Sequence, residues 1–573
     1  MSWASLGLIV FALVMRLPLL FYAPYEPDEF EHLHAAWAVA HGQVPFRDFW
    51  QLHPPLLYYL MAPVFTMLGE DLRIIYVARG FVFLCILLIL LQLYRIAREC
   101  FDSLTGLLAV LLLSYVLLHF QASYFFRPDT LEALVVIVGL WRFMRAWRSH
   151  RRIEFVASGA ILGVGFWVLS KALFPLAGLS LVFVLSSVLR RPAGALRSNF
   201  VGMLFFLGAF AIPVVLGGFL LWAAGALPNF LRWGVIHTFR YPVHFSAIRA
   251  LLPEVNLTFL ALAVVGIVRA VARANVMDEF HLSPILAGSM TAAAFLFLMP
   301  APNPQSALPF IPVAAMYAAE VLRWVFKRAL PSEGSVALTH GKPGAPAIRL
   351  PGRLTWACLA ALLTSMACAP PLWDLVADLP RFRKAAVRTN QTIRFVLSLA
   401  PPGDSVYDAH GLYIFRPHAT YYYRLSRGII AWLHSGLIPE TEIMNDLWRN
   451  QCKVVIVNWY EERLPSGLAR FLRSHYVYVS SERQSKRMPV HVAGSVLRPA
   501  DLSGSRATVS LIASAEYAVR PQGGTPKIYL DGRLYQAPLF LSQGNHQIAV
   551  DGDFQEIAIF YSRVLTVGLG DSS

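Results

Sequence analysis

The sequence predicts a multi-pass α-helical membrane protein with about eleven spans. An extracytoplasmic C-terminal region follows, which combines a small α/β unit with a β-sandwich. Three observations predict this class. Hydrophobic residues make up 57% of the 573 residues and charged residues only 14%, which is unlike a soluble enzyme. Long apolar segments alternate with short polar loops as far as residue 371, and after about residue 385 short alternating runs and turn signals take over.

The composition also excludes several classes of protein. The net charge of +15 does not indicate a nucleic-acid partner, because the basic residues lie mostly in short runs between apolar segments. The sequence contains no P-loop, no GxGxxG motif and no zinc signature, which argues against a nucleotide-driven pump. The five cysteines have no metal-binding spacing.

The apolar segments are long enough to cross a bilayer, which needs roughly 20 mostly apolar residues. The first segment is expected to be retained as a span, because Arg16 interrupts it and no small-residue cleavage site follows. The fifth and sixth segments nearly touch, so one of them could be broken or re-entrant. The predicted spans are 5–23, 74–94, 104–121, 130–147, 153–170, 172–189, 199–223, 251–271, 283–300, 308–326 and 354–371.

The loops between the spans differ in charge, and this difference predicts the orientation. One set of alternate loops carries 18 Lys and Arg residues between Arg95 and Arg353, whereas the other set carries 7 between Arg47 and Arg249. The richer set is expected to be cytoplasmic, as is the N-terminus. The loop 24–73 and everything after residue 371 then lie on the periplasmic side of the cell inner membrane.

Three domains are predicted from these patterns. Residues 1–371 form the transmembrane domain, residues 372–485 a small periplasmic α/β domain, and residues 486–573 a β-sandwich. The α/β prediction rests on short apolar strands near 405–408 and 452–459, with helical patterns at 441–450 and 465–474.

The first outer loop, residues 24–73, is long and acidic. Helical spacing of apolar residues in 29–40 and 55–67 predicts two helices that lie on the bilayer surface, and 228–249 is a further interfacial stretch. The polar residues of the loop that we select as candidates are Asp28, Glu29, His32, Asp48 and His53.

Asp28 opens the first of these helices, with Glu31 three residues later. This spacing is also that of a helix N-cap with a capping box, so a structural role is an equal alternative. The position at the outer surface, with Asp48 and His53 in the same loop, favours a functional role. Carboxylates there could act as a general base on an acceptor hydroxyl or hold a divalent metal ion.

Asp129 opens the fourth predicted span on the same side of the membrane, in the sequence Arg127-Pro128-Asp129. Glu132 repeats the capping-box spacing, so the same alternative applies. Because Asp28 and Asp129 would both start helices at one membrane face, we expect them to contribute to one site.

Several cations at the outer face are candidates for binding a lipid phosphate. Lys171 ends a span, although a lysine that only snorkels to the interface is the simpler alternative. Arg127, Arg240 and Arg249 are further candidates, since a guanidinium binds phosphate with two parallel hydrogen bonds.

Four other residues have an expected place around this site. Arg16 and Arg79 lie within spans, where a charge is usually paired, so we expect them to bind outer-loop carboxylates and hold the loop. His53 precedes Pro54-Pro55, which alternatively only forms a turn into the second surface helix. Gln305 lies in the irregular segment 302–309, which is expected to line a cavity.

Together these motifs resemble the lipid-linked-sugar glycosyltransferases of the GT-C fold. More narrowly, residues 1–330 resemble the protein O-mannosyltransferase and aminoarabinose transferase (ArnT) superfamily, which is glycosyltransferase family 39-like. The chain departs from the mannosyltransferase pattern at two places: Glu31 stands where a histidine is expected, with His32 next to it, and no lysine follows Pro55. The matching elements are Asp28-Glu29, His53-Pro54-Pro55, Asp129, Leu169-Ser170-Lys171 and Leu308-Pro309-Phe310-Ile311-Pro312.

The resemblance implies a polyprenyl-phosphate-linked sugar as donor and a lipid, glycan or protein as acceptor. It implies inverting single displacement, with Asp28 as general base and Glu29 and Asp129 as its catalytic neighbours. Lys171 and Arg127 would stabilise the leaving lipid phosphate. No cofactor is certain, and a divalent metal is left open. The expected substrate-binding residues are His32, Asp48, His53, Arg127, Lys171, Arg240 and Gln305.

Two other functions remain open at this level. A polymerase or ligase of lipid-linked polysaccharide would share the donor chemistry. A lipid or sugar transporter would differ, because transporters tend to show internal repeats and broken helices near the bilayer midplane. In this sequence the polar clusters concentrate at one membrane face, and no clear repeat is seen.

Overall fold

A computed structural model provides the fold. It describes residues 2–189, 193–237, 240, 251, 254–273, 279–293, 303–329, 358–359, 361–366, 372–409, 411, 413–457, 463–479 and 488–567. Arg249 and most of the predicted last span, 354–371, lie outside these residues.

The described chain is helical up to residue 399 and rich in strands after it, as the fold class predicts. The helices of the first part are α1 (Ser2–Val14), α2 (Leu17–Tyr22), α3 (Pro27–Ala40), α4 (Leu56–Leu68), α5 (Arg73–Cys100), α6 (Ser103–Tyr115), α7 (Leu117–Gln121), α8 (Pro128–Ser149), α9 (Arg152–Val168), α10 (Leu173–Leu189), α11 (Ala193–Ala223), α12 (Leu257–Arg273), α13 (Glu279–Ala293), α14 (Ile311–Ala329) and α15 (Leu372–Leu399). A short π-helix, Phe230–Ile236, follows α11.

Three of the described helices are long and apolar enough to cross a membrane. They are Trp3–Tyr22, which contains α1 and α2, then Arg73–Cys100 and Phe200–Ala223. Other apolar helices of the described chain are shorter, so the total of eleven spans stays a prediction. The predicted fifth and sixth spans are two separate helices, α9 and α10, with a single 3-10 turn at Ser170–Ala172 between them.

Helices α9 and α11 pack with their backbones in direct contact. A Cβ atom on Gly159 would lie 2.0 Å from the carbonyl oxygen of Phe206, and one on Gly163 would lie 2.5 Å from that of Phe210. Small residues permit this approach, which is a common way for helices to associate in membranes. The contact fixes the end of α9, and therefore the turn that holds Lys171.

Arg79 holds the start of the first outer loop, as predicted. Its guanidinium binds both carboxylate oxygens of Glu29, at 2.7 and 2.8 Å, and both side chains are fully buried. The same guanidinium donates to the carbonyl oxygens of Leu19, Leu20, Ala23 and Pro24 at the end of the first span. One arginine of α5 thus ties together α2 and α3.

Arg16 does not pair with an outer-loop carboxylate, which corrects that prediction. It lies in the break between α1 and α2, where its guanidinium donates to the carbonyl oxygen of Ser114 at 2.7 Å. The group also lies over the ring of Phe120, 4.6 Å from its centre. A backbone carbonyl and an aromatic face replace the expected anion, because α6 and α7 lie nearest to this break.

Helix α3 is more enclosed than a helix on a bilayer surface would be. Residues 29–38 are all buried. Helix α4 packs against α3, Arg79 of α5 binds Glu29, and His418 and Arg424 of the C-terminal region contact His34 and Glu31. The polar residues of this helix therefore face other parts of the protein. Helix α4 matches the second predicted surface helix.

The C-terminal region contains the predicted strands and helices. The strands are β1 (Val406–Asp408), β2 (Val454–Ile456), β3 (Tyr476–Tyr478), β4 (Val490–Leu497), β5 (Arg506–Leu511), β6 (Ala515–Gln522), β7 (Lys527–Leu530), β8 (Arg533–Leu534), β9 (Leu539–Leu541), β10 (Gly544–Asp551) and β11 (Glu556–Tyr561), and the helices are α16 (Arg427–His434), α17 (Glu440–Arg449), α18 (Ser466–His475) and α19 (Arg563–Val567).

The strands form two sheets. A seven-stranded sheet has the order β1-β2-β4-β11-β6-β9, with β3 also paired to β4, and a four-stranded sheet has the order β5-β10-β7-β8. Strand β4 lies beyond the predicted boundary at 485/486 but pairs with β2 and β3 before it. The two predicted C-terminal domains therefore share the seven-stranded sheet.

A segment of this region, residues 418–426, lies across the first outer loop, and we call it the strap. The carbonyl oxygen of Tyr421 accepts from the amide of Trp50 at 3.0 Å, and its hydroxyl donates to the carbonyl oxygen of Phe46 at 2.9 Å. The amide of Gln51 donates to the Tyr423 hydroxyl at 2.6 Å. The strap therefore fixes the loop against the C-terminal region.

The buried ion pair between Arg79 and Glu29 predicts a large effect on stability. Replacing Glu29 with glutamine leaves the Arg79 charge buried without its counter-ion, which costs about 3–5 kcal/mol of folding free energy. We expect Glu29→Gln to lower the thermal unfolding temperature in detergent clearly. Asp71→Asn is the control, because Asp71 pairs with an exposed arginine, Arg73, and such pairs contribute about 0–1 kcal/mol. Equal unfolding temperatures for the two variants would contradict the role of the pair.

The charge pattern and the exposed residues together predict the result of a labelling experiment. Arg47 is 46% exposed in the first outer loop, and His150 is exposed in the turn between α8 and α9. With the native cysteines replaced by alanine, a membrane-impermeant maleimide should label Arg47→Cys in intact cells. It should label His150→Cys only after the cells are permeabilised, and the reverse pattern would refute the predicted orientation.

Candidate active site

The two acidic helix starts do not cap their helices. The N-cap of α3 is Glu26 and that of α8 is Arg127, and neither position makes a side-chain capping hydrogen bond. Proline occupies the first turn of both helices. Asp28 and Asp129 bind cations instead, so the capping-box alternative does not describe either residue.

Asp28 is held by two guanidinium groups. One carboxylate oxygen lies 2.8 Å from Nη1 of Arg127, and the other lies 2.5 Å from Nη2 of Arg424. The Asp28 side chain keeps 29% of its surface exposed, about as much as Glu26 at 28% and more than Asp129 and Glu31 at 7% each. Burial alone would raise the pKa of Asp28, but Arg127 and Arg424 outweigh burial and hold this pKa well below its usual range.

Arg127 joins the two acidic helix starts. Its Nη1 also binds Glu26 at 2.7 Å, and its Nε lies 3.5 Å from a carboxylate oxygen of Asp129. Burial disfavours the charged guanidinium, but Glu26, Asp28 and Asp129 together raise its pKa above the ordinary value. Burial raises the pKa of Glu26 to about 7 despite Arg127. The structure thus brings Asp28 and Asp129 together through one arginine.

Lys171 completes the cluster from the turn between α9 and α10. Its Nζ donates to Asp129 at 3.2 Å and to the hydroxyl of Ser306 at 2.8 Å. Its side chain is 17% exposed, so it is largely buried rather than snorkelling. An ammonium group has three protons to donate, so two contacts leave one for a ligand.

A row of neutral polar groups lies beside the carboxylates. Nδ1 of His32 lies 3.2 Å from the Tyr58 hydroxyl, which donates to Gln51 at 3.0 Å. The rings of His32 and His53 are 5.4 Å apart. Burial is the main cause that lowers the pKa of His32 to about 3 and that of His53 to about 4, so both are uncharged at neutral pH.

The other predicted site residues lie elsewhere. Both oxygens of Glu29 are bound by Arg79, and one also accepts from the amide of Phe126, so Glu29 positions α3 rather than facing a substrate. Asp48 binds Arg47 and the amide of Val44 in an exposed turn. Glu29 and Asp48 therefore have hydrogen-bond partners of their own, whereas Asp28 and Asp129 belong to the cluster. The sequence does not distinguish these two environments.

Arg240 and Gln305 have different environments. Arg240 is exposed, and the residues on both sides of it lie outside the described chain. Gln305 lies in the 3-10 turn Pro304–Ala307, next to Ser306. Its side-chain oxygen is buried and accepts no hydrogen bond from the described residues.

Two residues of the site, Arg424 and Glu132, are not identified as functional by the sequence patterns. Arg424 of the strap is separated from Asp28 by almost 400 residues, and it binds both Asp28 and Glu31. The one available signal is Glu31 itself. An acidic residue at a position where the related pattern has histidine calls for a cation, but the sequence does not say which one.

The second of these residues, Glu132, is a carboxylate that lies one turn into α8. Glu132 is fully buried, and neither of its oxygens has a hydrogen-bond partner among the described residues. It lines a small cavity together with Lys171, Phe174, Pro175, Thr291, Ser306 and Pro309. This cavity is continuous with the Lys171 end of the cluster.

The question of a metal ion can be tested on the donor groups. Within the described ranges, no three His, Cys, Asp or Glu side chains are arranged to hold a metal. The carboxylates of the cluster bind Arg127, Lys171 and Arg424 instead. Among the residues that the structure describes, the divalent metal left open above therefore has no assembled ligand set.

Comparison with known proteins supports the expected resemblance. Residues 52–216 match the family described as dolichyl-phosphate-mannose-protein mannosyltransferase. No curated protein matches the chain.

Three solved structures illustrate the likeness in fold. ArnT from Cupriavidus metallidurans in the apo state is 18% identical, with a TM-score of 0.57 over 86% of this chain and 97% of ArnT. The same protein bound to undecaprenyl phosphate gives 18% identity and a TM-score of 0.57 over 86% and 98%. The Archaeoglobus fulgidus oligosaccharyltransferase in the apo form is 14% identical, with a TM-score of 0.47 over 83% of this chain and 73% of that protein. The resemblance predicted by the motifs is thereby confirmed: the chain has the GT-C fold and resembles the protein O-mannosyltransferase and ArnT-like superfamily.

Proposed function

We propose that this protein is an integral membrane glycosyltransferase that moves a sugar from a polyprenyl-phosphate donor to an acceptor hydroxyl. One observation carries the proposal: Asp28, a partly exposed carboxylate, lies in one cluster with the cations Arg127 and Lys171. A base and a phosphate-binding group in one place are what this transfer requires. The fold it shares with ArnT, which has been seen bound to undecaprenyl phosphate, supports the choice of donor.

The transfer is a single displacement at the anomeric carbon. Asp28 takes the proton of the acceptor hydroxyl while the acceptor oxygen forms its bond to the anomeric carbon. The bond between this carbon and the phosphate oxygen breaks, and its electron pair leaves with the polyprenyl phosphate. Attack opposite the leaving group inverts the anomeric configuration, and no general acid is needed because the phosphate is already a stable anion.

The cations stabilise the charge that develops on the leaving phosphate. Lys171 has a proton free to donate after its bonds to Asp129 and Ser306. Arg127 is fixed by Glu26 and Asp129, so it is already oriented when the donor arrives. Pre-oriented charges of this kind lower the barrier because they need no reorganisation during the reaction.

The uncharged groups suit a sugar. Neutral histidines both donate and accept hydrogen bonds, so His32 and His53 can bind sugar hydroxyls without adding charge. The buried oxygen of Gln305 is a further acceptor near Lys171. We place the reaction on the periplasmic side of the inner membrane, with a lipid, glycan or protein as acceptor. A polysaccharide polymerase or ligase would use the same donor chemistry.

Asp28→Asn tests the base directly. The substitution keeps the size of the side chain but removes its ability to accept a proton, so we expect transfer to fall by about 10²–10⁴-fold. The assay uses the full-length protein in membranes with radiolabelled polyprenyl-phosphate sugars and follows the label into lipid, glycan and protein fractions. Asp71→Asn is the control, because Asp71 pairs with Arg73 at the start of α5. Full activity of Asp28→Asn would refute the assignment.

Lys171→Met tests phosphate binding. Removing the charge should weaken binding of undecaprenyl phosphate by about tenfold or more, since a hydrogen bond to a charged group contributes about 1.5–3 kcal/mol. Ser306→Ala removes one partner of Lys171 and keeps its charge, so it should change the affinity much less. Binding measured by intrinsic tryptophan fluorescence separates the two variants. Unchanged affinity in Lys171→Met would show that this lysine only holds Asp129.

A further inference from the structure

Arg424 is a residue of the C-terminal region that reaches into the cluster around Asp28. Its Nη2 lies 2.5 Å from a carboxylate oxygen of Asp28, and its Nη1 binds Glu31. The side chain is only 12% exposed. Its aliphatic part passes over Gly411, where an added Cβ atom would lie 3.0 Å from Cδ of Arg424. The chain thus leaves room for this arginine at a glycine with a φ of +72°.

The contact has a consequence for the chemistry at Asp28. A carboxylate that binds two guanidinium groups holds its charge strongly and is a poor proton acceptor. A general base needs a proton affinity nearer to that of its working environment. One of the two arginines therefore has to leave Asp28 before the acceptor hydroxyl can lose its proton.

The surroundings of the two arginines show which one can move. Arg127 begins a helix of the transmembrane domain and has two further anionic partners, Glu26 and Asp129. Arg424 lies on the strap, outside any helix or strand, and its second nitrogen is anchored on Glu31. Rotation about the end of the Arg424 side chain can release Asp28 while the bond to Glu31 remains.

We propose that Arg424 exchanges Asp28 for the phosphate of the lipid-linked donor, so that the base is freed only when donor is bound. Glu31 is the pivot that keeps the guanidinium in place during the exchange. Arg424 is thus a positioning residue for Asp28 and a ligand of the phosphate. This inference rests on the function proposed above and assigns a role in it to the C-terminal region.

The burial of Glu31 fits this role. Glu31 is buried, and a buried carboxylate needs a cation. Arg424 supplies this cation, so Glu31 and Arg424 form a pair that belongs to this chain.

The charged and titratable groups around Asp28 determine how its pKa responds to a substitution. Arg127 lies at the start of α8 and Arg424 on the strap, and Glu26, Glu31 and His32 lie beside Asp28 on its own segment. Asp129 lies beyond Arg127, and His53 lies beyond His32. Removing Arg424 takes away one of the two cations. The pKa of Asp28 in the free enzyme should then rise by about 1–3 units.

Arg424→Gln is the variant that tests the exchange. The low-pH limb of the pH profile of kcat/KM for the donor reports the pKa of Asp28 in the free enzyme. The low-pH limb of the kcat profile reports the pKa of Asp28 in the donor complex. Because activity needs the charged carboxylate, a higher pKa moves the limb to higher pH. We expect this shift in kcat/KM for Arg424→Gln and no shift in kcat, because the donor displaces Arg424 in the wild type anyway. Arg424→Lys, which keeps a charge but has one nitrogen in place of the planar guanidinium fork, should shift kcat/KM less.

The control and the second measurement make the outcomes distinct. Arg498→Gln removes an arginine of the same region that is 71% exposed and pairs with Glu556, and it should leave both profiles unchanged. Addition of undecaprenyl phosphate should raise the pKa of Asp28. Infrared spectroscopy measures this pKa through the carboxylate band that is lost in Asp28→Asn. This rise should be larger in the wild type than in Arg424→Gln, where only the negative charge of the phosphate acts on Asp28.

Three results would overturn the proposal. If Arg424→Gln lowers the unfolding temperature but leaves the acid limb of kcat/KM in place, Arg424 is only a structural tie. If undecaprenyl phosphate binds without changing the Asp28 band, the exchange does not take place, although the transferase function stands. A wild-type protein that neither binds undecaprenyl phosphate nor transfers sugar refutes the proposed function, and the exchange with it.

Discussion

The neutralisation of buried carboxylates is the constraint on which this structure depends. Asp28, Glu31 and Asp129 lie at helix starts that are largely closed off from water, and charges there are tolerated only when they are paired. The matching cations are Arg127, Lys171 and Arg424. They come from three distant parts of the chain, so the three parts must meet for any of them to be stable. The site is therefore also a main junction of the fold.

This constraint explains why the C-terminal region and the first outer loop form one body. The strap binds the loop through Tyr421 and Tyr423 and places Arg424 among the carboxylates. Such a region can shield a reaction from water and also take part in it. In this chain the contacts favour both roles, because Arg424, which covers Asp28, is also one of the two cations that bind it.

Much of the fold and part of the site could be predicted from the sequence. Apolar segment length predicts the apolar helices, and helix starts at one face predict that Asp28 and Asp129 meet. The pairing of Arg79 with a loop carboxylate also follows, since an arginine in a span requires an anion. These predictions succeed because each one depends on local pattern or on a strong local cost.

Other features depend on contacts between distant residues and could not be predicted in this way. Glu29 and Asp28 are neighbours with the same chemistry, and only the packing of α3 turns one towards Arg79 and the other towards Arg127. Arg424 has no sequence pattern that links it to Glu31. The pairing of β4 with strands of the preceding unit is likewise a long-range event, so a domain boundary drawn from composition does not coincide with the sheet.

The shared sheet has a consequence for biosynthesis. Strand β2 needs β4 as a neighbour, and β4 in turn pairs with β11, whose last residue is Tyr561. The sheet of the region that carries the strap therefore cannot be completed until the chain has been translated as far as Tyr561. A chain without β11 would hold Asp28 and Glu31 while the region that positions Arg424 is still incomplete, so the cluster forms fully only after β11 has been made.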